Sequence, residues 1–288
     1  MKKIQETQNH LGTPVTIQVV AYDENKAQRA IERAFAEAAR IEAAYSRFIK
    51  GNELATLNAK VGEWVTVEDE LYELISFGVR VGERTQKAFD LSVKSLLEGW
   101  GYDADYSLQE KEAGHIGSIE LAEGRVRCSA EIELGGLGKG YAIDRMVNQL
   151  ADFTNIMVNA GGDLFAKGQD EDGPWKVALE HPTDETKAIG IVEVDGFSVG
   201  VSSPLRRQWR DRHHLVDPKE SQPAGQMLAV YTQADVALIA DAYSTALFVL
   251  GFEKAATLLP DLPVEALLIG PDGQGWRTDG FKGGLFES

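Results

Sequence analysis

The stretch that decides the fold is Thr13-Pro14-Val15-Thr16-Ile17-Gln18-Val19-Val20-Ala21-Tyr22, which runs straight into Asp23-Glu24-Asn25. Val15, Ile17 and Val19 alternate with Thr16 and Gln18, the two-residue period of a strand with one buried face. Asp23-Glu24-Asn25 then supplies helix N-cap chemistry. Ile31, Phe35, Ala38, Ile41 and Tyr45 follow at three- and four-residue steps, the period of an amphipathic helix. Working outward, a second such helix is expected from about Val67 to Gln86, through Leu71, Ile75 and Val79. Strand patterns come later, at Ile156–Asn159, Trp175–Glu180, Ile189–Val194, Leu228–Tyr231 and Ala266–Ile269. Further helices are expected at Gly140–Ala151, Asp235–Leu250 and Glu253–Leu259. Helices early and strands late, without regular βαβ alternation, predict an α+β fold of mixed or antiparallel sheets with packed helices. No repeat or long Pro/Gly/Ser linker divides the chain, so a single domain over residues 1–288 is expected. Within it, Asp103–Ser118, with Asp103, Asp105 and Glu110-Lys111-Glu112, reads as a surface insertion.

The chain has 288 residues, 29 Lys+Arg against 45 Asp+Glu, and a formal charge of −16. An apolar fraction of 43% is enough to build a core. The acidity excludes sequence-independent binding to nucleic acid or to an anionic membrane, both of which need a basic face. Cys128 is the one cysteine, so an intramolecular disulfide and a multi-thiolate metal site are both excluded. It reads as a passive core or edge residue. The N-terminus carries two lysines with no apolar run behind them, and no membrane-spanning stretch follows. At face value that places the protein in the cytoplasm, unless a leader has been trimmed away.

The 29 glycines bunch rather than spread. Glu133-Leu134-Gly135-Gly136-Leu137-Gly138-Lys139-Gly140-Tyr141-Ala142-Ile143-Asp144 has four glycines in six positions ahead of a helix. Such a turn lets backbone approach a ligand and leaves helix N–H groups free for a phosphate, with Lys139 as a mobile charge. It matches neither the P-loop nor the Rossmann spacing, and a plain Gly-rich turn before a helix accounts for it equally well. Asn159-Ala160-Gly161-Gly162-Asp163 alone reads as a hairpin turn. In His213-His214-Leu215-Val216-Asp217-Pro218, neighbours on a strand point opposite ways, so at most one histidine faces a site. That one could hold a phosphate or move a proton, while a structural pair is the plainer alternative. In Ile239-Ala240-Asp241-Ala242-Tyr243-Ser244-Thr245, the i, i+3, i+4 spacing puts Asp241, Ser244 and Thr245 on one helix face. Hard oxygen donors without His or Cys suit Mg²⁺; an acidic residue in a first helical turn with incidental hydroxyls is the alternative.

Taken in order, these segments resemble the ApbE family, the FAD:protein FMN transferases. The likeness runs from Leu11-Gly12-Thr13 through Tyr45-Ser46-Arg47-Phe48, Glu53-Leu54…Leu57-Asn58 and Phe89-Asp90-Leu91-Ser92-Val93. It continues into the Glu133–Asp144 block, Asn159–Asp163, the His-His block and the 240–247 helix. No single motif is decisive; the ordered set is. The resemblance implies a T-fold-like architecture and transfer of FMN from FAD to a Ser or Thr of an acceptor flavoprotein, with Mg²⁺ and release of AMP. It also implies metal ligands at the Gly136 carbonyl, Asp241 and Thr245, with Ser244 adjoining. FAD contacts fall at Leu11, Phe48, Phe89, Asp90, Glu133 and Lys139, and at His214 or Leu215. Asp241 and His214 stand as the catalytic pair, His214 as acid/base or phosphate-orienting group.

The chain departs from the family pattern on the substrate side. Leu91-Ser92 stand for Pro-Thr, Glu133 for Asp, Val201-Ser202-Ser203 for Thr-Ser-Gly, and Glu220-Ser221 for Thr-Gly. Phosphoryl-type transfer is largely positioning and charge neutralisation, so the retained metal-side residues favour a transferase. Two alternatives stay open at this level: an FAD pyrophosphatase giving FMN and AMP, and a non-catalytic FAD-binding protein. With Asp90, Glu133, Asp163 and Asp241 near the site, FAD binding is expected to depend on the metal.

Overall fold

The computed structural model describes residues 1–103, 106–112 and 114–286. The N-terminal strand Lys2–His10 pairs antiparallel with Thr13–Ala21, and these two form one edge of an eight-stranded sheet. The sheet continues through Ile156–Ala160, Asp163–Lys167, Phe197–Ser202, Ala229–Ala234, Glu265–Ile269 and Gly275–Arg277, each antiparallel to its neighbour. The strand at Lys2–His10 has no fully buried residue, which is why alternation of apolar and polar residues did not announce it.

Seven α-helices lie among the described residues: α1 (Glu24–Tyr45), α2 (Glu53–Asn58), α3 (Asp69–Arg84), α4 (Lys94–Gly99), α5 (Gly138–Gln149), α6 (Ala237–Leu250) and α7 (Phe252–Leu258). Asp23 caps α1 by accepting from the Lys26 amide at 2.9 Å, as its position predicts. Helix α5 starts two residues earlier than the pattern indicated, at Gly138 inside the glycine block. That shift matters because it places Lys139 and Gly140 in the first helical turn.

Both faces of the large sheet are covered. On one, Val15, Ile17, Val19, Ile156 and Val158 pack against Ile31 and Phe35 of α1, Ile143 of α5 and Leu247 of α6. On the other, Leu164, Ala166, Val199 and Tyr231 meet Trp175, Leu179, Val192 and Val194. These last four belong to a second, four-stranded sheet built on the Gly173–His181 and Asp184–Val194 hairpin. The result is an α+β fold of helices, sheet and sheet, with alternate residues of each central strand buried on opposite sides. Cys128 ends the Arg125–Cys128 strand of a small three-stranded sheet, buried, with burial pushing its thiol up to about 11.

Much of Asp103–Ser118 is exposed, but Asp103 itself is buried and Tyr106 and Leu108 line the cavity described below. Asp105 lies outside the described residues. Among the described residues no helix is long and apolar enough to cross a membrane.

Candidate active site

A cavity of about 730 Å³ opens between the end of α1, the glycine turn before α5, the middle of α6 and the 201–216 segment. Its volume suits a ligand of cofactor size. Leu11 reaches it from the hairpin turn joining the first two strands. There Leu11 and Gly12 both take left-handed backbone (φ 56° and 70°), the geometry a two-residue hairpin requires.

The aromatic wall comes from several segments. Phe48, just beyond the C-terminus of α1, stacks on Tyr106 with centroids 5.4 Å apart and meets Tyr102 edge-on. Tyr102 stacks in turn on Trp209 at 5.2 Å. The Arg47 guanidinium lies over both Phe48 and Tyr102, 4.1 and 4.7 Å from their centroids. Its Nη2 donates to the Tyr102 carbonyl at 2.8 Å, and Glu98 and Glu133 stand 3.6 Å away. Tyr102, Tyr106 and Trp209 were not legible as a group because they stand singly in separate segments, two of them more than 100 positions from the third.

Phe89 and Asp90 follow α3. Asp90 accepts from the amide and the hydroxyl of Ser92 at 2.8 and 2.7 Å, so it caps the short turn Leu91–Val93 while lining the cavity. Opposite, the backbone of Gly136 abuts the Phe89 ring: a Cβ there would stand 2.9 Å from Cε2. Only glycine lets the turn close this tightly. Glu133 accepts from the Gly135 amide at 3.1 Å. Burial raises its carboxyl above the ordinary range, against the pull of Arg47.

At the floor, α5 meets α6. Lys139 Nζ is ion-paired with Asp163 and lies 3.1 Å from Asp241 Oδ1, while Asp241 Oδ2 accepts from the Gly140 amide at 2.8 Å. Burial alone would depress the ammonium; the two carboxylates outweigh it and hold Lys139 above its usual value. Burial pushes Asp163 upward as well. Asp163, at the end of the Gly161-Gly162 turn, also accepts from the Val201 amide at 2.8 Å. Its turn-forming sequence was visible, but its partner Lys139 lies 24 positions away.

Asp241 and Thr245 line the cavity; Ser244 does not. Its hydroxyl is fully buried, donating to the Asp241 carbonyl at 2.9 Å and lying 2.8 Å from Ser202 Oγ. Ser202 also stands 3.4 Å from Thr245 Oγ1. Side chains at i and i+3 share a helix face only roughly, and here the divergence places Ser244 behind the wall. Among the described residues no cluster of three or more His, Cys, Asp or Glu side chains is placed to hold a metal.

The two histidines separate as strand geometry demands. His213 Nδ1 accepts from the Leu215 amide at 3.2 Å and Nε2 faces the Ala224 carbonyl at 2.9 Å, so the ring is neutral and structural. His214 and Leu215 line the cavity. His214 Nδ1 faces the Arg207 carbonyl at 3.3 Å. Burial, then the Arg207 charge, lower its pKa well below that of free imidazole. The ring is therefore neutral at pH 7, with Nε2 available to accept a proton.

By its relatives along most of its length, the chain is a transferase. The ApbE family model matches residues 11–268, and the chain belongs to that family. The FAD:protein FMN transferase of Klebsiella pneumoniae is 25% identical over 93% of this chain and 84% of its own length. That of Treponema pallidum is 30% identical over 76% of this chain and 71% of its own. Among solved structures, the ApbE protein of Thermotoga maritima superposes with a TM-score of 0.88 at 28% identity, covering 96% of this chain and 97% of that one. The flavin transferase ApbE of Vibrio cholerae, at 20% identity and a TM-score of 0.83, covers 97% of this chain and 98% of its own and shares the fold.

Proposed function

We propose that the protein moves the FMN half of FAD onto a Ser or Thr hydroxyl of an acceptor flavoprotein and releases AMP. The observation that carries this reading is the convergence of Asp241 and Thr245 from α6 with the glycine turn and Lys139 of α5 on the floor of one cavity. Relatives along most of the chain bear the name of this activity.

The donor set fits Mg²⁺. Asp241 is 2% exposed and offers a carboxylate, Thr245 a hydroxyl, and Gly136 a backbone carbonyl. A Cβ on Gly136 would stand 3.4 Å from Thr245 Cγ2, so turn and helix adjoin. These are hard oxygen ligands of the kind Mg²⁺ takes alongside substrate phosphates. Bound there, the ion would polarise the diphosphate and neutralise charge on the departing phosphate.

The remaining work falls to the chain. Phe48 and Phe89 offer faces for the flavin or adenine ring. Leu11, Asp90, Glu133 and Leu215 complete the walls. His214, held neutral, takes the proton of the acceptor hydroxyl at Nε2 as the hydroxyl oxygen bonds to the FMN phosphorus. The bond from that phosphorus to the bridging oxygen breaks, and the oxygen leaves with AMP.

Incubating the protein with FAD, Mg²⁺ and a candidate acceptor should add the mass of one FMN to the acceptor. No gain on any flavoprotein or Ser/Thr-containing peptide, with AMP appearing all the same, would replace this reading with FAD hydrolysis. Intact FAD throughout would leave a binding protein.

A further inference from the structure

Three arginines line the cavity, and two are neutralised. Arg47 lies between Glu98 and Glu133, and Arg206 makes a two-pronged contact with Glu180 at 2.9 and 3.1 Å. Lys139 is no freer, since one ammonium serves both Asp163 and Asp241. Arg207 differs. Among the described residues its guanidinium has no carboxylate within ion-pair distance and no hydrogen bond, although it is half-buried and lines the cavity.

Its backbone is held by two hydrogen bonds. The Arg207 amide donates to Pro204 at 3.0 Å, and its carbonyl accepts from the His214 amide at 3.3 Å. The segment is thus tied to His214 itself. The charge is felt across the cavity, lowering the proton affinity of His214, Lys139 and Glu133 together. A guanidinium beside those three groups with no carboxylate of the described residues on it has its donors free for phosphate oxygens.

We infer that Arg207 grips the diphosphate of the donor nucleotide, its fork donating to phosphate oxygens beside His214 and Lys139. The inference rests on the reading that the donor is FAD, and it transfers to Arg207 the neutralising role that sequence suggested for Lys139. Lys139 instead holds Asp163 and Asp241 in place. A planar five-donor fork suits two phosphate oxygens at once in a way that a lysine's point charge does not. In a chain of net charge −16, such a group also gives an incoming dianion one local reason to enter.

The test compares ADP with adenosine, and FAD with riboflavin, by calorimetry or fluorescence in EDTA and again with Mg²⁺. Arg207→Gln should weaken ADP and FAD binding about ten- to one-hundred-fold, the worth of one charged two-pronged contact. Adenosine and riboflavin binding should stay unchanged. Arg207→Lys should recover part of the loss, and Arg125→Gln, a charge removed from the small sheet, should match the wild type. Equal binding of ADP by wild type and Arg207→Gln overturns the inference, as does a parallel loss for adenosine. A wild-type protein that binds neither FAD nor ADP refutes the functional reading instead, so the two failures are distinct.

Discussion

The carboxylate of Asp144, on α5, accepts from the amides of Ala237 and Leu238 at 2.8 and 2.9 Å, so one helix caps the start of the other. The residue preceding α6, Val236, has no side chain able to do this, and the first amides of a helix need an acceptor. Asp144→Ala should therefore cost about 1–2 kcal/mol, read as a fall of a few degrees in the thermal midpoint. Because Asp241 follows one turn after Leu238, metal-dependent FAD binding should weaken in the same variant. An unchanged midpoint would show that water replaces the cap without loss.

Gly140 and Gly138 make a matched pair for a second prediction. A Cβ on Gly140 would stand 2.3 Å from the Ala237 carbonyl oxygen and 2.8 Å from Asp241 Cβ, whereas a Cβ on Gly138 meets nothing within 4 Å. Both residues are helical, where alanine is favoured over glycine by up to about 1 kcal/mol. Overpacking costs about 1–3 kcal/mol and should win at Gly140. Gly140→Ala should lower the urea midpoint and Gly138→Ala should hold or raise it. Identical effects would refute the close α5–α6 contact as the reason for glycine.

Asp241→Ala should abolish Mg²⁺-dependent FMN transfer, and EDTA should weaken FAD binding to the wild type but not to the variant. The variant also frees the Gly140 amide and, among the described residues, leaves Asp163 as the sole carboxylate on Lys139. Its fold must therefore be checked by circular dichroism alongside turnover. Full activity in a folded Asp241→Ala protein would remove this residue from the metal site.

The sequence was most legible where one element carries its own signal. The alternation in Thr13–Ala21 and the spacing in α1 depend on neighbours along the chain, and their burial follows the pattern. The glycine block, the His-His pair and the Asp241 helix were visible for the same reason. What stayed hidden depends on distant partners. Lys139 looked like a free charge because Asp163 and Asp241 reach it only through the fold. Arg207 drew no notice beside Arg206, because nothing local shows that Arg206 finds Glu180 while Arg207 finds no carboxylate among the described residues. Ser244 looked like a ligand because helical spacing does not reveal that its hydroxyl turns to Ser202 of a neighbouring strand and stays out of the cavity lining.

Acid stability gives the last prediction. Glu70 at the start of α3 joins three helices: Arg40 of α1 donates to both its oxygens at 2.7 Å, Tyr45 donates at 2.6 Å, and Tyr141 of α5 donates as well. Arg40 above all, helped by the two tyrosines and against burial, holds the Glu70 carboxyl at about 2. A carboxyl whose pKa is lower folded than unfolded adds stability that is complete above the unfolded value of about 4.3 and vanishes as pH falls through the folded one. Glu70→Gln should accordingly be less stable than wild type at neutral pH. The gap should narrow below about pH 4 and close near pH 2, as the wild-type carboxyl itself takes up a proton. Urea midpoints for both proteins across that range provide the measurement. A gap constant with pH would mean that the amide and the carboxylate serve Arg40 and the tyrosines alike, and that packing rather than charge joins α1, α3 and α5 beneath the cavity.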